Sequence, residues 1–459
     1  MSAFPATLFA GERFAVVGLG RNGLPVARAL RAMGADVFAW DDSEAARAAA
    51  VAEGIVVAEP GPGEPAPRAM ILSPGIPHIR PRVHPTAAWA RENGVPILSD
   101  GDLLFTAVRR AGSRARFAGI TGTNGKSTTT ALLAHILAGS GVPTAAGGNL
   151  GIASLALPLL PDHGVYVLEM SSYMLERLAT LRFDASVMLN LSPDHIDRHG
   201  DMAGYAAAKR QIFARQRAVD TAVLGVDDEM SRDMLAWRAG LPGTTITVSG
   251  FQQADIWGDG AILRDRLGPV LDLATCPTLP GAHNAQNAAA AFAVARALGL
   301  SRADIARQMP SYPGLPHRQQ LVATRDGIAF INDSKATNAD AAARALGCYD
   351  RMIWIAGGMA KEGGIEPLAE FFPRIAHALL IGQDAPALAA TLAAHGVPHT
   401  VTGTLDATVP AAYAAARAAG AKTVLLSPAC ASFDQFSGFD ARGDRFAELA
   451  AAPDLGGAA

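Results

Sequence analysis

The sequence predicts an α/β fold in several domains, and three observations agree on this. The chain has 459 residues, which is too long for one hydrophobic core, so two to four domains are expected. Half of the residues are hydrophobic and only 18% are charged, which is typical of packed domains. Short apolar runs are repeatedly followed by a glycine-containing turn and then by a helical pattern. This alternation is typical of Rossmann-like domains.

The composition argues against several other classes of protein. The net charge of −3 gives no electrostatic reason to expect nucleic acid as a partner. Cys276, Cys348 and Cys430 lie far apart and form no CxxC pair, which favours a reducing cytoplasm over a disulfide framework or a zinc site. The N-terminus has no secretory signal pattern, and no apolar run is long enough to span a bilayer. Stable membrane insertion is therefore not expected.

The first part of the chain has the pattern of a nucleotide-binding domain. A predicted strand, Phe14–Val17, precedes the turn Gly18–Gly23, whose spacing satisfies G-x-G-x-x-G, and a helical pattern follows. The next predicted strand, Val37–Trp40, ends at Asp41 and Asp42, at the distance expected for an acid that binds a ribose hydroxyl. NAD binding by this turn is one interpretation, and ordinary turn chemistry is another.

A phosphate-binding loop is predicted at the start of the central part. The apolar run Phe117–Ile120 predicts a buried strand, and Lys126 and Ser127 open a helical pattern. Gly122 and Gly125 would let the main chain bend close to phosphate oxygens. Lys126 would then pair with the β- and γ-phosphates, and the Ser127 hydroxyl would bind Mg²⁺. The common P-loop pattern places a glycine where this chain has isoleucine, so the spacing is a variant.

Later strands of the central part are followed by further polar groups. Glu169 ends the predicted strand Val165–Leu168 and is a candidate ligand for Mg²⁺, which prefers oxygen. Two acids and two histidines lie within 194–199 without the spacing of a zinc site, so a Mg²⁺ or phosphate role is preferred. Lys209 lies on a predicted helix, where its pattern alone favours a surface lysine.

Two asparagines open an alanine-rich helical pattern. Asn284 and Asn287 are three residues apart, so their amides would share one face and could bind adenine. Asn284 could instead be the N-cap of the helix.

The last part of the chain begins after a segment rich in proline and glycine, 313–316. The predicted strand Gly327–Ile331 ends in a polar run, 332–338. Within that run Asp333 could bind the ribose of ATP and Lys335 could stabilise phosphate charge, while Thr337 and Asn338 could begin a helix. A final predicted strand leads into a second polar run, 427–443.

Several of these runs resemble the Mur ligase family. Gly-Thr-Asn-Gly-Lys-Ser-Thr at 122–128 is similar to the loop of the Mur ligases and folylpolyglutamate synthases, which are ATP-dependent amide-bond-forming enzymes. Asp-His-x-Asp at 194–197 and Tyr-x-x-x-Lys at 205–209 also resemble Mur ligases. Asp-Ser-Lys-Ala-Thr-Asn and Ser-Pro-Ala-Cys-Ala-Ser resemble the members that add D-glutamate, and the Asp-Asn-Pro-Arg run of those that add a diamino acid does not occur. The resemblance covers essentially the whole chain in the correct order.

The resemblance implies an α/β protein of three Rossmann-like domains, the central one a P-loop-type ATPase domain. Residues 1–113 would bind a UDP precursor, 114–315 would bind ATP, and 316–459 would bind the incoming amino acid. ATP would phosphorylate the terminal carboxylate of UDP-N-acetylmuramoyl-L-alanine, and the amine of D-glutamate would attack the acyl phosphate. Two Mg²⁺ ions, which Mn²⁺ could replace, would assist. The implied setting is cytoplasmic peptidoglycan synthesis, and hence cell-wall biogenesis, cell shape and cell division; a monomer without nucleic acid is expected.

The resemblance also assigns roles to individual residues. The catalytic set is Lys126, Glu169, His195, Lys209 and Lys335. The ATP-binding set is Gly122, Thr123, Asn124, Gly125, Lys126, Ser127, Thr128, Asn284, Asn287, Arg318 and Asp333. The precursor-binding set is Arg21, Asn22, Gly23, Asp41, Asp42, Ser73, Gly75 and Asn149. The amino-acid-binding set is Thr337, Lys361, Ser432, Phe433 and Phe439. The metal-binding set is Ser127, Glu169, His195 and Lys209, with Lys209 carbamylated by CO₂ so that it becomes an anionic oxygen ligand.

Two other classes compete with a ligase. An NAD-dependent dehydrogenase would use the turn at 18–23 but would leave the loop at 122–127 unexplained. A non-catalytic ATP-binding module would keep that loop, but it would not need the four residues Glu169, His195, Lys209 and Lys335 together. For a ligase, the domains are expected to close, because ATP is expected on the central domain while Arg318, Asp333 and Lys335 come from the last one.

Overall fold

The computed structural model describes residues 2–62, 65–361 and 363–452. The chain divides into two compact units. One consists of Met1–Cys276 and Ala282–Tyr312, and the other of Pro277–Gly281 and Pro313–Ala459. The first unit contains two β-sheets and the second contains one. The α/β class with Rossmann-like sheets and a P-loop-type central sheet is as predicted.

The first sheet is parallel and lies near the N-terminus. Its strands are β1 (Arg13–Val17), β2 (Asp36–Trp40), β3 (Val56–Val57), β4 (Ala69–Leu72) and β5 (Ile97–Leu98). The helices of this part are α1 (Gly23–Ala32), α2 (Glu44–Ala52), α3 (Pro85–Glu92) and α4 (Asp100–Arg110). The strand order is β3-β2-β1-β4-β5, so the chain winds in opposite directions from β1 and from β4. Ligands of such sheets bind in the crevice at this switch point, beyond the carboxyl ends of the strands.

The second sheet follows the first along the chain and has an antiparallel extension. Its strands are β6 (Arg116–Thr121), β7 (Thr144–Gly148), β8 (Val165–Glu169), β9 (Ala185–Met188), β10 (Thr221–Gly225), β11 (Thr244–Ser249), β12 (Ile256–Asp259), β13 (Ile262–Asp265) and β14 (Gly268–Asp272). The order is β14-β13-β12-β11-β10-β9-β6-β8-β7. All neighbouring strands from β12 to β7 are parallel, whereas β12, β13 and β14 form an antiparallel meander.

Helices cover the second sheet and connect its strands. They are α5 (Lys126–Gly139), α6 (Ser172–Leu175), α7 (Ile196–His199), α8 (Met202–Arg210), α9 (Glu229–Arg238), α10 (Ala282–Ala297) and α11 (Arg302–Gln308). Short 3-10 helices occur at Ser154–Ala156, Leu273–Thr275 and Met309–Ser311. The carboxyl ends of β9, β6, β8 and β7 meet at one edge, because these neighbours are parallel.

The third sheet belongs to the second unit. Its strands are β15 (Gln320–Arg325), β16 (Ile328–Asn332), β17 (Met352–Gly357), β18 (Ile375–Ile381), β19 (His399–Gly403) and β20 (Thr423–Leu426). Its helices are α12 (Ala339–Leu346), α13 (Ala385–Ala394), α14 (Leu405–Ala419) and α15 (Phe439–Ala451), with a 3-10 helix at Glu366–Arg374. The order is β15-β16-β20-β17-β18-β19, parallel except for β15.

The two sheets of the first unit are joined by buried contacts. One apolar cluster includes Leu104 of α4 together with Phe117 and Tyr166 of the second sheet. The Asp102 carboxylate, which is fully buried, also accepts hydrogen bonds from the main-chain N–H groups of residues 179–181 at 2.7 to 3.2 Å. Since a buried carboxylate is costly unless it is hydrogen-bonded, these contacts fix α4 against the second sheet. The predicted boundary between residues 113 and 114 stays a prediction, because both sheets lie in one unit.

Most predicted strands are confirmed within a few residues, and the exceptions are informative. The helix that carries Lys209 was predicted over Tyr205–Phe213, and it begins and ends three residues earlier, at Met202 and Arg210. The N-cap interpretation of Asn284 is wrong, since α10 begins two residues before it. The meander β12–β14 was not predicted, because its strands are only four or five residues long. Among the described residues, no helix is long and apolar enough to cross a membrane.

Candidate active site

The predicted phosphate loop lies between β6 and α5 and folds against the end of β9. The N–H groups of Thr123 and Asn124 donate to the main-chain and side-chain oxygens of Asn190, at 2.9 and 2.8 Å. The Lys126 amine turns back and donates to the carbonyls of Gly122 at 3.1 Å and Thr123 at 2.8 Å. The loop is therefore held in a closed bend, and the Lys126 amine lies against the main chain of the loop.

Two glycines of this loop are required by its shape. Gly122 and Gly125 have φ values of 151° and 83°, which side chains rarely adopt. A Cβ on Gly125 would also lie 2.3 Å from the side-chain oxygen of Asn287. Because α5 begins directly after Gly125, the N–H groups of its first turn lack intrahelical partners and favour an anion. Ser127 and Thr128 lie in that turn and are buried.

Lys209 extends from α8 to the main chain of the phosphate loop. Its side chain is only 1% exposed, and its Nζ donates to the Gly122 carbonyl at 2.7 Å and to the Thr121 hydroxyl at 3.3 Å. The amine also lies 4.7 Å from the centre of the Tyr205 ring. Burial and, second, the charge of Lys126 hold the pKa of this amine well below its ordinary value of 10.5. The surface-lysine interpretation of Lys209 is therefore wrong.

Glu169 lies at the end of β8, beside the loop-bearing strand. It is 2% exposed, and one carboxylate oxygen accepts from the Asn149 side chain at 2.9 Å. The other oxygen is buried and has no hydrogen-bond partner among the described residues. A buried carboxylate oxygen in that state is suited to a cation, which would supply the missing partner.

His195 lies beside this edge in a strained conformation. Its main chain is left-handed, with φ 52°. Its Nδ1 is 2.9 Å from the Tyr173 hydroxyl, and its Nε2 is 3.3 Å from Asp194. The imidazole is half-exposed, so a ligand can reach it. Asp197 lies in α7, the short helix that follows.

The predicted metal-binding set fits a divalent cation only in part. Among residues 2–62, 65–361 and 363–452, no three His, Cys, Asp or Glu side chains are grouped so that they could hold a metal ion. The predicted set has only two residues of those types, Glu169 and His195. The spare oxygen of Glu169 fits a cation, whereas the Lys209 amine does not, since it carries no negative charge and donates to a carbonyl. A carboxylate added to that amine would remove the mismatch.

The asparagine pair expected to bind adenine is hydrogen-bonded within the protein. The Asn287 side chain accepts from the Thr129 hydroxyl at 3.2 Å and donates to the Asn284 side chain at 2.9 Å. Both asparagines are buried. The pair thus joins α10 to α5 behind the phosphate loop, and its adenine role stays a prediction.

A cavity of about 410 Å³ opens where the strand order of the first sheet reverses, beyond the ends of β1 and β4. Six of the predicted precursor-binding residues line it: Arg21, Asn22, Asp41, Asp42, Ser73 and Asn149. Gly23 and Gly75 are not in this lining. Gly23 instead allows α1 to start close to the turn, since a Cβ there would lie 1.7 Å from the Gly18 carbonyl oxygen. Asn149 contacts both the cavity and Glu169, so the cavity extends toward the phosphate loop.

The acids of this cavity have different partners. Asp41 accepts hydrogen bonds from the N–H groups of Leu19 at 2.6 Å and Ser43 at 2.8 Å, so its carboxylate holds the glycine turn in place. Asp42 lies 3.2 Å from the Nε2 of His84, which also lines the cavity. The sequence analysis missed His84 because a single histidine before α3 belongs to no motif.

The second unit carries its own strand-end set. Because β16, β20 and β17 are neighbouring parallel strands, the loops after them share one edge of the third sheet. The Ser427 hydroxyl donates to Asp333 at 2.8 Å, and the Met359 N–H donates to the Ala431 carbonyl at 2.9 Å. These three loops carry six of the predicted residues: Asp333, Lys335, Thr337, Lys361, Ser432 and Phe433.

The residues predicted to bind the incoming amino acid differ in their exposure to solvent. Phe433 is 71% exposed and Lys361 is also exposed, whereas Ser432 is buried. The Lys335 amine lies 5.3 Å from the centre of the Phe439 ring, a cation–π contact at the start of α15.

Arg442 fixes these loops, and the sequence analysis assigned it no role. Its buried guanidinium donates to the hydroxyl and carbonyl oxygens of Ser334 at 3.0 and 2.9 Å. It also donates to the carbonyls of Cys430 at 3.1 Å and Gly357 at 3.3 Å. Burial lowers the pKa of this arginine to about 10, so it stays cationic at neutral pH. No sequence signal predicts such contacts, because main-chain carbonyls have no residue signature.

The fold and this site define an α/β protein with a P-loop-type centre for phosphate chemistry. The family profile of the Mur ligase middle domain matches residues 120–295, and that of the Mur ligase glutamate ligase domain matches residues 317–430. The chain belongs to the Mur ligase family. This membership replaces the dehydrogenase hypothesis for the turn at 18–23.

Curated relatives match over nearly the whole chain. A protein of Paramagnetospirillum magneticum is 50% identical over 458 residues, covering 98% of this chain and 99% of the relative. A protein of Rhodospirillum rubrum is 49% identical, covering 97% of this chain and 96% of the relative. One of Caulobacter vibrioides is 46% identical, covering 96% of each. All three are named UDP-N-acetylmuramoylalanine–D-glutamate ligase.

Solved structures share the fold. The UDP-N-acetylmuramate-alanine ligase of Thermotoga maritima has a TM-score of 0.59 at 18% identity, covering 95% of this chain and 98% of that one. A MurF structure from Acinetobacter baumannii has a TM-score of 0.56 at 19% identity, covering 78% and 81%.

Asp333 makes the stability of the second unit depend on pH. Burial raises the pKa of its carboxyl from 3.8 to about 7, although Ser427, Gln319 and Arg318 act in the opposite direction. The folded state therefore holds a proton that the unfolded state releases, so the free energy of unfolding should fall as pH rises from about 4 to about 7. We expect a contribution of roughly 2–4 kcal/mol, levelling off above pH 7. Urea unfolding of the third sheet, followed by hydrogen exchange between pH 5 and pH 8, measures it.

The matched control for this prediction is another aspartate of the second unit. Asp333→Asn should flatten the pH dependence between pH 5 and pH 7. Asp350→Asn should leave it unchanged, because the Asp350 side chain is 84% exposed. Equal slopes in wild type and Asp333→Asn would show that Asp333 is not the group responsible.

Proposed function

We propose that this chain is an ATP-dependent, ADP-forming ligase that joins D-glutamate to UDP-N-acetylmuramoyl-L-alanine in peptidoglycan precursor synthesis. One observation carries the proposal: the amines of Lys126 and the buried Lys209 and the carboxylate of Glu169 all lie around the glycine loop, at the same edge of the second sheet. The names of relatives that are up to 50% identical over the full length support this choice of substrates.

An amide can form from a carboxylate only if one carboxylate oxygen becomes a leaving group. In the proposed reaction the γ-phosphoryl group of ATP is transferred to the terminal carboxylate of the precursor, which gives an acyl phosphate and ADP. The D-glutamate amine attacks the acyl carbon, phosphate leaves, and the amine proton is lost to a nearby base. His195, half-exposed beside the edge, is one candidate for that base. The chain supplies positioning and charge, and no protein nucleophile is needed.

Charge at the phosphate loop is the main contribution of the first unit. Lys126 and the N–H groups of the first turn of α5 would bind the β- and γ-phosphates. The Mg²⁺ ions would offset phosphate charge. The family pattern has two of them, and Mn²⁺ could replace them. The residues that would hold them are Ser127, Glu169, His195 and Lys209. Burial of Glu169 excludes water from its spare oxygen, so that oxygen is available to a cation.

Carbamylation of Lys209 would complete this set. Burial holds the pKa of the Lys209 amine well below its ordinary value, which favours the uncharged form, and an uncharged amine can attack CO₂. A C–N bond forms, one proton is released, and the product is an anionic carbamate. The new carboxylate would resolve the mismatch between a buried amine and a divalent cation.

The cavity of the first sheet is the proposed precursor site. Its glycine turn, Ser73 and Asn149 suit a diphosphate, and Arg21 would add positive charge. Because Asn149 also binds Glu169, a precursor bound here would direct its peptide end toward the phosphate loop.

The second unit is the proposed site of D-glutamate. Lys361 and Ser432 would bind its side-chain carboxylate, Thr337 and Lys335 lie on the neighbouring loop, and aromatic rings would cover its carbon stem. Arg318 and Asp333 would help to bind the ATP. We further propose a monomer that works in the cytoplasm and serves cell shape and division through wall synthesis.

Phosphate release tests this proposal directly. It should require ATP, UDP-N-acetylmuramoyl-L-alanine and D-glutamate together, and each omission should reduce it to background. L-glutamate, L-alanine and meso-diaminopimelate should not replace D-glutamate. Use of one of these would contradict the substrate, and release without any amino acid would contradict the ligase.

Lys361→Ala should raise the KM for D-glutamate at least about tenfold, because a charge-assisted hydrogen bond contributes on the order of 1.5–3 kcal/mol. The KM for ATP should change less than about twofold on the same reasoning. Lys422→Ala is the matched control, since Lys422 precedes β20 at the opposite end of the strand from the proposed site. Equal effects of both substitutions would remove Lys361 from the amino-acid site.

Lys209→Ala should be nearly inactive, because the carbamate would be lost, and acetate or formate should partly restore activity by filling the space. Chloride at the same ionic strength should not restore it. With ¹³C-labelled bicarbonate, wild type and Lys422→Ala should show a carbamate carbon signal that Lys209→Ala lacks. A wild-type spectrum without that signal would contradict carbamylation.

A further inference from the structure

A buried arginine contacts the wall of the proposed precursor cavity. It lies in the part of the first unit that contains the second sheet. Arg177 follows the short helix α6, and its side chain is 2% exposed. Its guanidinium donates to the main-chain carbonyls of Leu72 at 2.8 Å, Ser73 at 3.2 Å, Pro74 at 3.1 Å and Ile76 at 2.5 Å. Four carbonyls, from the last residue of β4 and the loop that follows it, therefore converge on one cation.

This loop forms part of the cavity. Ser73, Pro74 and Ile76 all line it. The Ser73 hydroxyl donates to the Gly18 carbonyl at 2.7 Å, so the loop also supports the glycine turn on the opposite side of the strand switch. Carbonyls that point at a buried guanidinium cannot turn away without leaving that charge unsatisfied. Arg177 thus restricts the conformation of the cavity wall.

A carboxylate extends this contact toward the phosphate chemistry. Glu176 lies 4.0 Å from Arg177 and forms a close ion pair with Arg198, which itself donates to the Ile76 carbonyl at 3.3 Å. Glu176 also lies 3.6 Å from His199. Arg198 and His199 belong to α7, which begins directly after His195. The same cluster therefore holds both the loop at 73–76 and the segment that carries a proposed metal-binding histidine.

We propose that Arg177 is a positioning residue for the nucleotide-sugar substrate: it fixes the wall at 72–76 so that the cavity is preformed, and Glu176 and Arg198 connect this wall to the His195 segment. The inference rests on the proposed function for the identity of the substrate. The geometry favours arginine over lysine, because only a planar fork of donors reaches four carbonyls at once. Arg177 touches protein carbonyls rather than reacting atoms, so it acts through the wall.

The test compares three substitutions in the full-length chain. Arg177→Ala should raise both the Kd and the KM for UDP-N-acetylmuramoyl-L-alanine at least about tenfold, while the KM for ATP should change less than about twofold. Arg177→Lys should recover only part of the loss. Arg215→Ala is the matched control, because Arg215 also donates to main-chain carbonyls, those of Ala179, Leu178 and Gln211, outside the cavity. It should lower thermal stability without changing precursor affinity.

Hydrogen exchange of the ligand-free chain gives a readout that does not depend on the substrate. Arg177→Ala and Arg177→Lys should speed exchange at the amides of Ser73, Gly75 and Ile76, and Arg215→Ala should not. Unchanged precursor affinity in both Arg177 variants, or an equal rise in the KM for ATP, would overturn the proposal, as would unchanged exchange in the lysine variant. If wild type fails to bind the precursor, the proposed function fails, and the exchange result alone decides the role of Arg177.

Discussion

The burial of an amine beneath the phosphate loop is the constraint on which the rest of the site depends. Lys209 and Lys126 both donate a hydrogen bond to the Gly122 carbonyl. Two amines on one carbonyl repel each other, which is why the charge of Lys126 helps to lower the pKa of Lys209. The arrangement becomes favourable when negative charge arrives, either as phosphate on the loop or as a carboxylate on Lys209. The edge is therefore organised for anions before any are bound.

Contacts inside the first unit connect this edge to the cavity of the first sheet. Asn149 lines the cavity and binds Glu169, while Arg177 holds the part of the wall that follows β4. Asp102 ties α4 to the segment that leads into β9, because its carboxylate has enough lone pairs to accept from several N–H groups at once. With the two sheets fixed in this way, the distance between the cavity and the loop is set by the protein fold. A ligase benefits from this, because a carboxylate must be held in line with the transferred phosphoryl group.

The features that sequence could predict are those written into short segments. The loop at 122–127 and Glu169 at a strand end follow from local patterns, and so does the switch-point turn at 18–23. The burial of Lys209 could not be predicted from local pattern, because an alanine-rich helix looks the same whether its lysine faces water or a loop. Arg177 was missed because its carbonyl partners lie 101 to 105 residues away and carry no residue signature.

The transfer of oxygen from the carboxylate to phosphate tests the central claim most directly. The precursor would be prepared with ¹⁸O in the carboxylate of its L-alanine and incubated with ATP, D-glutamate and the enzyme. An acyl phosphate must leave one carboxylate oxygen on the departing phosphate, so the account predicts inorganic phosphate that carries one ¹⁸O atom, detected by the isotope shift of its ³¹P signal. Unlabelled phosphate, or label found in AMP, would contradict activation of the carboxylate by the γ-phosphoryl group.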